Sequence, residues 1–206
     1  KRAEVLGACT RPYGTLAVAG SHGKTTTSAL LAYLLYETCG CCAFLGGVAK
    51  NYDRNFLYAS EAAWAVAEAD EYDRSFLQLH PRYSIVTAMD ADHLDIYGTV
   101  ENMRSAYADF MRQTDFEHGG VIIKDAWRSY VPDVPVYRTY GLAPTDGTQV
   151  YARGLRVEAG AYRFDYVSPD LEIEDLTLTY PGRHNVENAL AAITAALAAG
   201  LSAGDI

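Results

Sequence analysis

The sequence predicts an α/β fold: a mostly parallel sheet flanked by helices and carrying a phosphate-binding loop, with a small antiparallel sheet appended. Three observations predict it. Strand-like and helix-like segments alternate from residue 15 to residue 141, the pattern of a parallel sheet covered on both faces. The stretch AVAGSHGKTTTSALLAYLL, residues 17–35, runs from a small apolar strand through Gly-Ser-His-Gly-Lys-Thr directly into a helix. After residue 145 the texture changes to apolar–polar alternation, in TQVYARGLRVEAGAYRFDYV and LEIEDLTLTY, which reads as an antiparallel meander.

The elements follow in order. Residues 1–14 open with a charged helical scrap, KRAEVL, and close on the turn RPYG. Thr15–Ala19 is a strand, Lys24 to about Glu37 a helix, and Cys42–Leu45 a short strand ending in Gly46-Gly47. WAVAEAD (64–70) is a buried strand with acids at its carboxyl end, and YSIVTAM (83–89) is the next strand. TVENMRSAYADFMRQ (99–113) places apolar residues at helical spacing, with Thr99 as N-cap. GVIIKD and VPVYRTYG are further strands. In the meander, turns are expected at Gly154 and at Ala159-Gly160. A last helix spans Asn185–Ala199, and LSAGDI then offers a helix start, with Ser202 as cap and Asp205 three residues on.

Bulk properties narrow the function. A chain of 206 residues suits one large domain, or at most two small ones, and buries about 70% of its unfolded surface. The formal charge of −9 argues against a nucleic-acid partner, which calls for a basic face. An anionic small molecule remains compatible, because a local cluster of donors overcomes a diffuse negative field. No apolar run approaches the roughly 20 residues that span a bilayer, and the N-terminus is not a signal peptide. A cytoplasmic protein with no membrane partner is expected. Cys9, Cys39, Cys41 and Cys42 do not form the paired C-x-x-C pattern of a zinc site, so reduced, partly buried thiols are expected.

The turn GSHGKTTT carries the chemistry. A helix N-terminus presents unpaired N–H groups and about half a positive charge. Gly20 and Gly23 let the backbone come close to an anion. Lys24 supplies a point charge for the outer phosphates, and the Thr25 hydroxyl a magnesium ligand. The loop is G-x-x-G-K-T, two residues shorter than G-x-x-x-x-G-K-[ST], since position 18 is Val18. EADEYD adds Glu68, Asp70, Glu71 and Asp73 at the end of one strand, and DADHLD adds Asp90, Asp92, His93 and Asp95 at the end of the next. Ligands of open α/β sheets sit outside the carboxyl ends of strands, so both clusters are expected at the crevice of the phosphate turn. Taken alone, the first cluster reads equally as a solvated acidic loop, and a lone histidine as a structural one.

Four segments in this order, GSHGKTTT, EADEYDRSFLQLHP, TAMDADHLDIYG and GRHNVENALAA, resemble the central ATP-binding domain of the Mur ligases. They are most similar to the alanine-adding branch, and the resemblance covers residues 15–200. It implies three domains: one for a sugar nucleotide, the central one for ATP, and a C-terminal one that helps to bind ATP and the incoming amino acid. Residues 1–14 are then a linker from an N-terminal domain, and 201–206 the start of a linker to a C-terminal one. It implies an ATP-dependent carboxylate–amine ligase of peptidoglycan precursor synthesis that joins L-alanine to UDP-N-acetylmuramate, with ATP and Mg2+ as cofactors. By the same resemblance, Gly20, Ser21, His22, Gly23, Lys24, Thr25 and Thr26 would surround the phosphates. Thr25 and Glu71 would ligate one magnesium ion and His93 a second. Lys24 and His93 would be catalytic, and Asn185 would meet the adenine with His184 and Asn188 near it. Glu71 and His93 should then lie within about 10 Å of the Lys24 ammonium. Where the alanine-adding enzymes usually read Gly-Thr-His-Gly, this chain has Ser21, which keeps the hydroxyl. Other branches place a carbamoylated lysine a short way beyond the histidine, and no lysine lies between His93 and Lys124. Alternatives are the ligase that recycles a whole murein peptide, a plain P-loop NTPase, and a nucleotide-binding module without chemistry.

Overall fold

The computed structural model describes residues 2–206. Its strands are Gly14–Ala19 (β1), Cys42–Ala49 (β2), Arg54–Leu57 (β3), Trp64–Glu68 (β4), Tyr83–Val86 (β5), Gly120–Lys124 (β6), Arg138–Gly141 (β7), Val150–Glu158 (β8), Ala161–Val167 (β9) and Glu172–Leu178 (β10). They form one sheet in the spatial order β10-β9-β8-β7-β6-β5-β1-β4-β2-β3. The six contacts from β2–β4 through β7–β8 are parallel, and β2–β3, β8–β9 and β9–β10 are antiparallel.

The central strand β1 has no polar alternation because both of its faces are covered. Leu16 and Val18 enter one core cluster, Ala17 and Ala19 the other. On the first face lie the helices Lys24–Thr38 (labelled αA here) and Arg183–Ala198 (αB), whose Leu31, Leu35, Leu190 and Ile193 pack with Leu16, Val66 and Ile122. On the second face lie Val100–Arg112 (αC) and the 3₁₀ segment Tyr72–Gln78, with Phe76 stacked on Phe110 at 5.0 Å and edge-on to Tyr107. Packing on both faces fixes the sheet, and the carboxyl ends of β4, β1 and β5 come side by side.

Thr99 caps αC as expected, its hydroxyl accepting the Asn102 N–H at 3.1 Å. Thr99→Ala is expected to lower unfolding stability by about 1 kcal/mol; urea melts identical to those of the unsubstituted chain would show the cap idle. The helix at the start runs further than its sequence suggests, over Arg2–Thr10. It is seated by Gly7, where a Cβ would lie 2.2 Å from the Gln78 carbonyl oxygen. The predicted turn at Ala159-Gly160 is present between β8 and β9, but Gly154 is not a turn. It sits inside β8 at φ +64, where the pairing with β9 shifts register between Arg153 and Arg156. A left-handed residue within a strand makes a bulge and keeps the strand going. The antiparallel part is appended to the parallel sheet as expected, and continuous with it, because β8 pairs in parallel with β7 through Tyr140–Val150 and Gly141–Tyr151. The strand predicted to stop at Leu45 continues through Gly46-Gly47 to Ala49 and turns back as β3. At the end, Ser202 and Asp205 form a capping box around one 3₁₀ turn, Ala203–Asp205.

The thiols are unpaired. Cys9 and Cys39 are exposed, Cys41 and Cys42 buried. Burial pushes the Cys41 thiol up to about 12 and raises that of Cys39 by less. Since the thiolate is the reactive form, native alkylation followed by peptide mass spectrometry is expected to modify Cys9 first, Cys39 more slowly, and the buried pair only on unfolding. Prompt labelling of Cys41 would contradict this packing.

Candidate functional site

The turn between β1 and αA is built by close approach. Gly20 has φ +147, and a Cβ there would lie 2.1 Å from the Thr87 hydroxyl oxygen and 2.8 Å from the Ala88 nitrogen. Gly23 has φ +86 and precedes αA without a side-chain cap. A Cβ on it would meet Asn188 Oδ1 at 2.5 Å, so αB packs directly beneath the turn. The strand β5 side laces it in place: Ser21 N donates to the Ala88 carbonyl at 3.1 Å, Asp90 N donates to Ser21 Oγ at 3.0 Å, and the Thr87 hydroxyl donates to the carbonyl of His22. The first turn of αA has no side-chain cap, and uncapped amides at a helix start favour an anion.

Lys24 is held over this turn. Its Nζ donates to the Gly20 carbonyl at 2.7 Å and lies 2.8 and 2.9 Å from the two oxygens of Glu71. Glu71 is only 1% exposed, so this is a buried charge pair in which each partner compensates the other's lost hydration. His93 Nε2 stands 3.7 Å from Glu71 Oε1 and 3.7 Å from Asp92 Oδ2. One ligand atom from each of Glu71, Asp92 and His93 falls within 4.8 Å of the others. Two hard carboxylates and an imidazole at that spacing fit a divalent cation, with Lys24 placed where a phosphate would approach it.

The backbone there is unusual. His93, Asp73 and Arg74 are non-glycine residues at φ +51, +52 and +54, a conformation that costs about 1–3 kcal/mol each and gathers at functional sites. His93 is steadied by its own N–H donating to Asp92 Oδ1 at 2.8 Å and by an edge-on contact with Tyr72 at 5.3 Å. The Tyr97 hydroxyl donates to the Glu71 carbonyl at 2.5 Å, fixing the chain that carries the buried carboxylate.

The structure therefore brings Lys24, Glu71 and His93 together as the sequence suggests. Thr25 goes elsewhere: its hydroxyl donates to Glu68 Oε1 at 2.9 Å rather than meeting Glu71. His22 and His184 are exposed, and Thr26 is half-buried. Asn185 and Asn188 are buried and joined to each other, Asn188 Nδ2 donating to Asn185 Oδ1 at 3.1 Å while Asn185 Nδ2 donates to the Pro181 carbonyl at 2.6 Å. Each amide group of this pair keeps further hydrogen-bonding capacity, since an amide has two donor hydrogens and two lone pairs. Sequence reasoning placed Glu68 and Asp92 at the crevice as members of the acidic clusters but gave neither a role of its own, and it missed Thr87 altogether. The first two were visible as the neighbours of Glu71 and His93 in EADE and DADH; Thr87 carried no signal of its own.

Two cavities open beside the turn. One of about 700 Å³ is lined by Lys24, Glu68, Asp70, Leu45, Gly46 and the first helix. The other, about 510 Å³, runs from Thr25 and Thr26 between αA and αB toward Tyr180.

Comparison with known proteins agrees with this geometry. The family model described as Mur ligase middle domain matches residues 18–196. The chain is 41% identical over 197 residues to the UDP-N-acetylmuramate–L-alanine ligase of Flavobacterium psychrophilum, covering 95% of this chain and 42% of that protein. It is 39% identical over 214 residues to the ligase of the same name from Cytophaga hutchinsonii, covering 100% and 45%. Thus it spans less than half the length of these relatives. Among solved structures, the UDP-N-acetylmuramate:L-alanyl-γ-D-glutamyl-meso-diaminopimelate ligase from Neisseria meningitides superposes with a TM-score of 0.82 at 25% identity, covering 98% of this chain and 66% of that one. The UDP-N-acetylmuramate–alanine ligase of Thermotoga maritima gives 0.80 at 26% identity, covering 99% and 45%. With this match running from the phosphate turn to the end of αB, the chain belongs to the Mur ligase family and carries its middle domain.

Proposed function

We propose that this domain binds ATP with magnesium and serves a ligase that joins L-alanine to UDP-N-acetylmuramate through an acyl phosphate, in the cytoplasm. The observation that carries the reading is the convergence of Lys24, Glu71 and His93 on one phosphate turn. In this reading Lys24 leaves Glu71 for the outer phosphates, while the first-turn amides of αA take the inner ones. Glu71, Asp92 and His93 would hold one ion, and Thr25, turned to Glu68, would offer a ligand to a second at the turn; magnesium would offset the phosphate charge and align the transferring group. Asn185, with His184 and Asn188, lies at the start of αB for the adenine. The cavity of about 700 Å³ beside Lys24 suits the acceptor carboxylate.

The chemistry is two displacements. A carboxylate oxygen of UDP-N-acetylmuramate attacks the γ-phosphorus and ADP departs. The L-alanine amine then attacks the acyl carbon, and inorganic phosphate leaves with the bonding electron pair. This chain's residues contribute mainly position and fixed charge. The likeness to the Neisseria ligase favours a second reading, in which a whole murein peptide takes the place of alanine.

The test is phosphate release by a protein that carries this domain within a chain of the relatives' length. Release that needs both UDP-N-acetylmuramate and L-alanine is expected. Release with the peptide but not alanine favours the second reading, and release without any acceptor reduces the domain to an NTPase.

A further inference from the structure

Tyr107, on αC, is fully buried, and its hydroxyl has no hydrogen-bond partner among the described residues. Its ring stands edge-on to Phe76 at 5.3 Å. A buried hydroxyl left unpaired costs stability, and a phenylalanine would fill the same space without that cost. Burial, and after it the charge of Glu71, then Tyr97, Asp92 and Asp70, push its pKa up, so the group is a neutral O–H donor. Three of those neighbours are already engaged. Tyr97 Oη donates to the Glu71 carbonyl, Asp92 Oδ1 accepts from His93 N, and Asp70 Oδ1 accepts from Tyr72 N. Glu71 differs: its Oε1 accepts from Lys24 Nζ at 2.9 Å, whereas Oε2, 2.8 Å from the same ammonium, makes no hydrogen bond. One buried donor and one buried acceptor are thus left unpaired around a single charge pair.

The pair is complete only while Lys24 stays on Glu71. A phosphate that draws the ammonium away leaves a buried carboxylate in need of a donor. We propose that Tyr107 is a positioning residue held for that moment: its hydroxyl turns to the Glu71 carboxylate when Lys24 leaves it, so that ammonium and hydroxyl exchange on one buried anion. A hydrogen bond from O–H to a carboxylate is charge-assisted and roughly twice as strong as a neutral one, which lowers the cost of releasing Lys24 to the phosphates. In the free protein the hydroxyl is idle. The proposal rests on the reading that the turn binds Mg-ATP.

The experiment compares thermal melting of the unsubstituted chain, Tyr107→Phe, Lys24→Ala and the double variant. Lys24→Ala creates the need for a donor without any ligand. Tyr107→Phe alone is expected to leave the midpoint unchanged or to raise it, because it deletes an unpaired hydroxyl. On the Lys24→Ala chain the same substitution is expected to lower the midpoint by at least about 2 °C, because the hydroxyl is then in use. Equal shifts in the two backgrounds would overturn the proposal, since a tyrosine unconnected with the pair behaves additively. The second measurement is calorimetric titration with Mg-ATP, in which Tyr107→Phe should bind at least about 3-fold more weakly than the unsubstituted chain; unchanged affinity would also overturn the exchange. If Lys24→Ala does not fold, this titration decides alone. Absence of Mg-ATP binding by the unsubstituted chain would instead overturn the Mg-ATP reading, and the exchange with it. The melts need no nucleotide, so failure of the hydroxyl and failure of that reading are separate results.

Discussion

Glu71→Gln is expected to lower the proposed ligase turnover of a full-length protein carrying this domain by about 1,000-fold, roughly 4 kcal/mol of barrier. The substitution hardly changes size, so the effect is one of charge. Glu71 is the buried anion that faces Lys24 on one side and His93 on the other. A neutral amide cannot hold a divalent cation there, and one of its two ends presents hydrogens to an ammonium that itself has only donors. Removing one partner of a buried pair also destabilises the fold, in other proteins by about 3–5 kcal/mol. Here Lys24 is partly solvated and keeps the Gly20 carbonyl, so the loss falls below that range. Calorimetric melting alongside steady-state kinetics separates the two effects. Turnover within tenfold of the unsubstituted enzyme would remove Glu71 from the metal role.

Lys24→Ala is the second large effect. Turnover should fall at least ~100-fold, about 2.7 kcal/mol, because the proposed function makes this lysine the mobile charge for the outer phosphates. The substitution leaves the Glu71 carboxylate buried without its ammonium partner, which costs about 3–5 kcal/mol of stability. A domain stable by about 5–15 kcal/mol survives that. Both readings are accessible in one experiment: a protein that stays folded, binds Mg-ATP more weakly and turns over slowly fits the role, whereas unaltered turnover in a folded protein denies it. Glu71→Gln and Lys24→Ala share one contact, so their effects should be less than additive when combined.

What the sequence determined by itself is what short-range chemistry encodes. The β1–turn–αA unit follows from an apolar run, Gly20 and the Gly23-Lys24-Thr25 triplet within 19 residues, each acting on its immediate neighbours. Thr99 caps αC for the same local reason, and the meander is visible because alternation has period two in any antiparallel strand. The family of the domain was also legible, since four motifs keep their order along the chain. The hairpin of β2 and β3 was not, because Arg54–Leu57 is short, three of its four residues are exposed, and its turn at Asp53 lacks a glycine.

The tertiary structure decided which carboxylate serves which partner. Four acids within six residues of EADEYD are equivalent as sequence. Only the strand order, with β1 between β4 and β5, sends Glu68 to Thr25 and Glu71 to Lys24 and His93. The contacts that settle it join residues 43 and 47 positions apart, and no propensity or spacing rule reaches that far. Asn188 beneath Gly23 and Thr87 against Gly20 are of the same kind: they exist because helix and strand pack onto the turn from outside it. Local sequence made the phosphate turn; long-range parallel pairing and two-faced core packing made it a site, by bringing buried charges close enough to compensate one another.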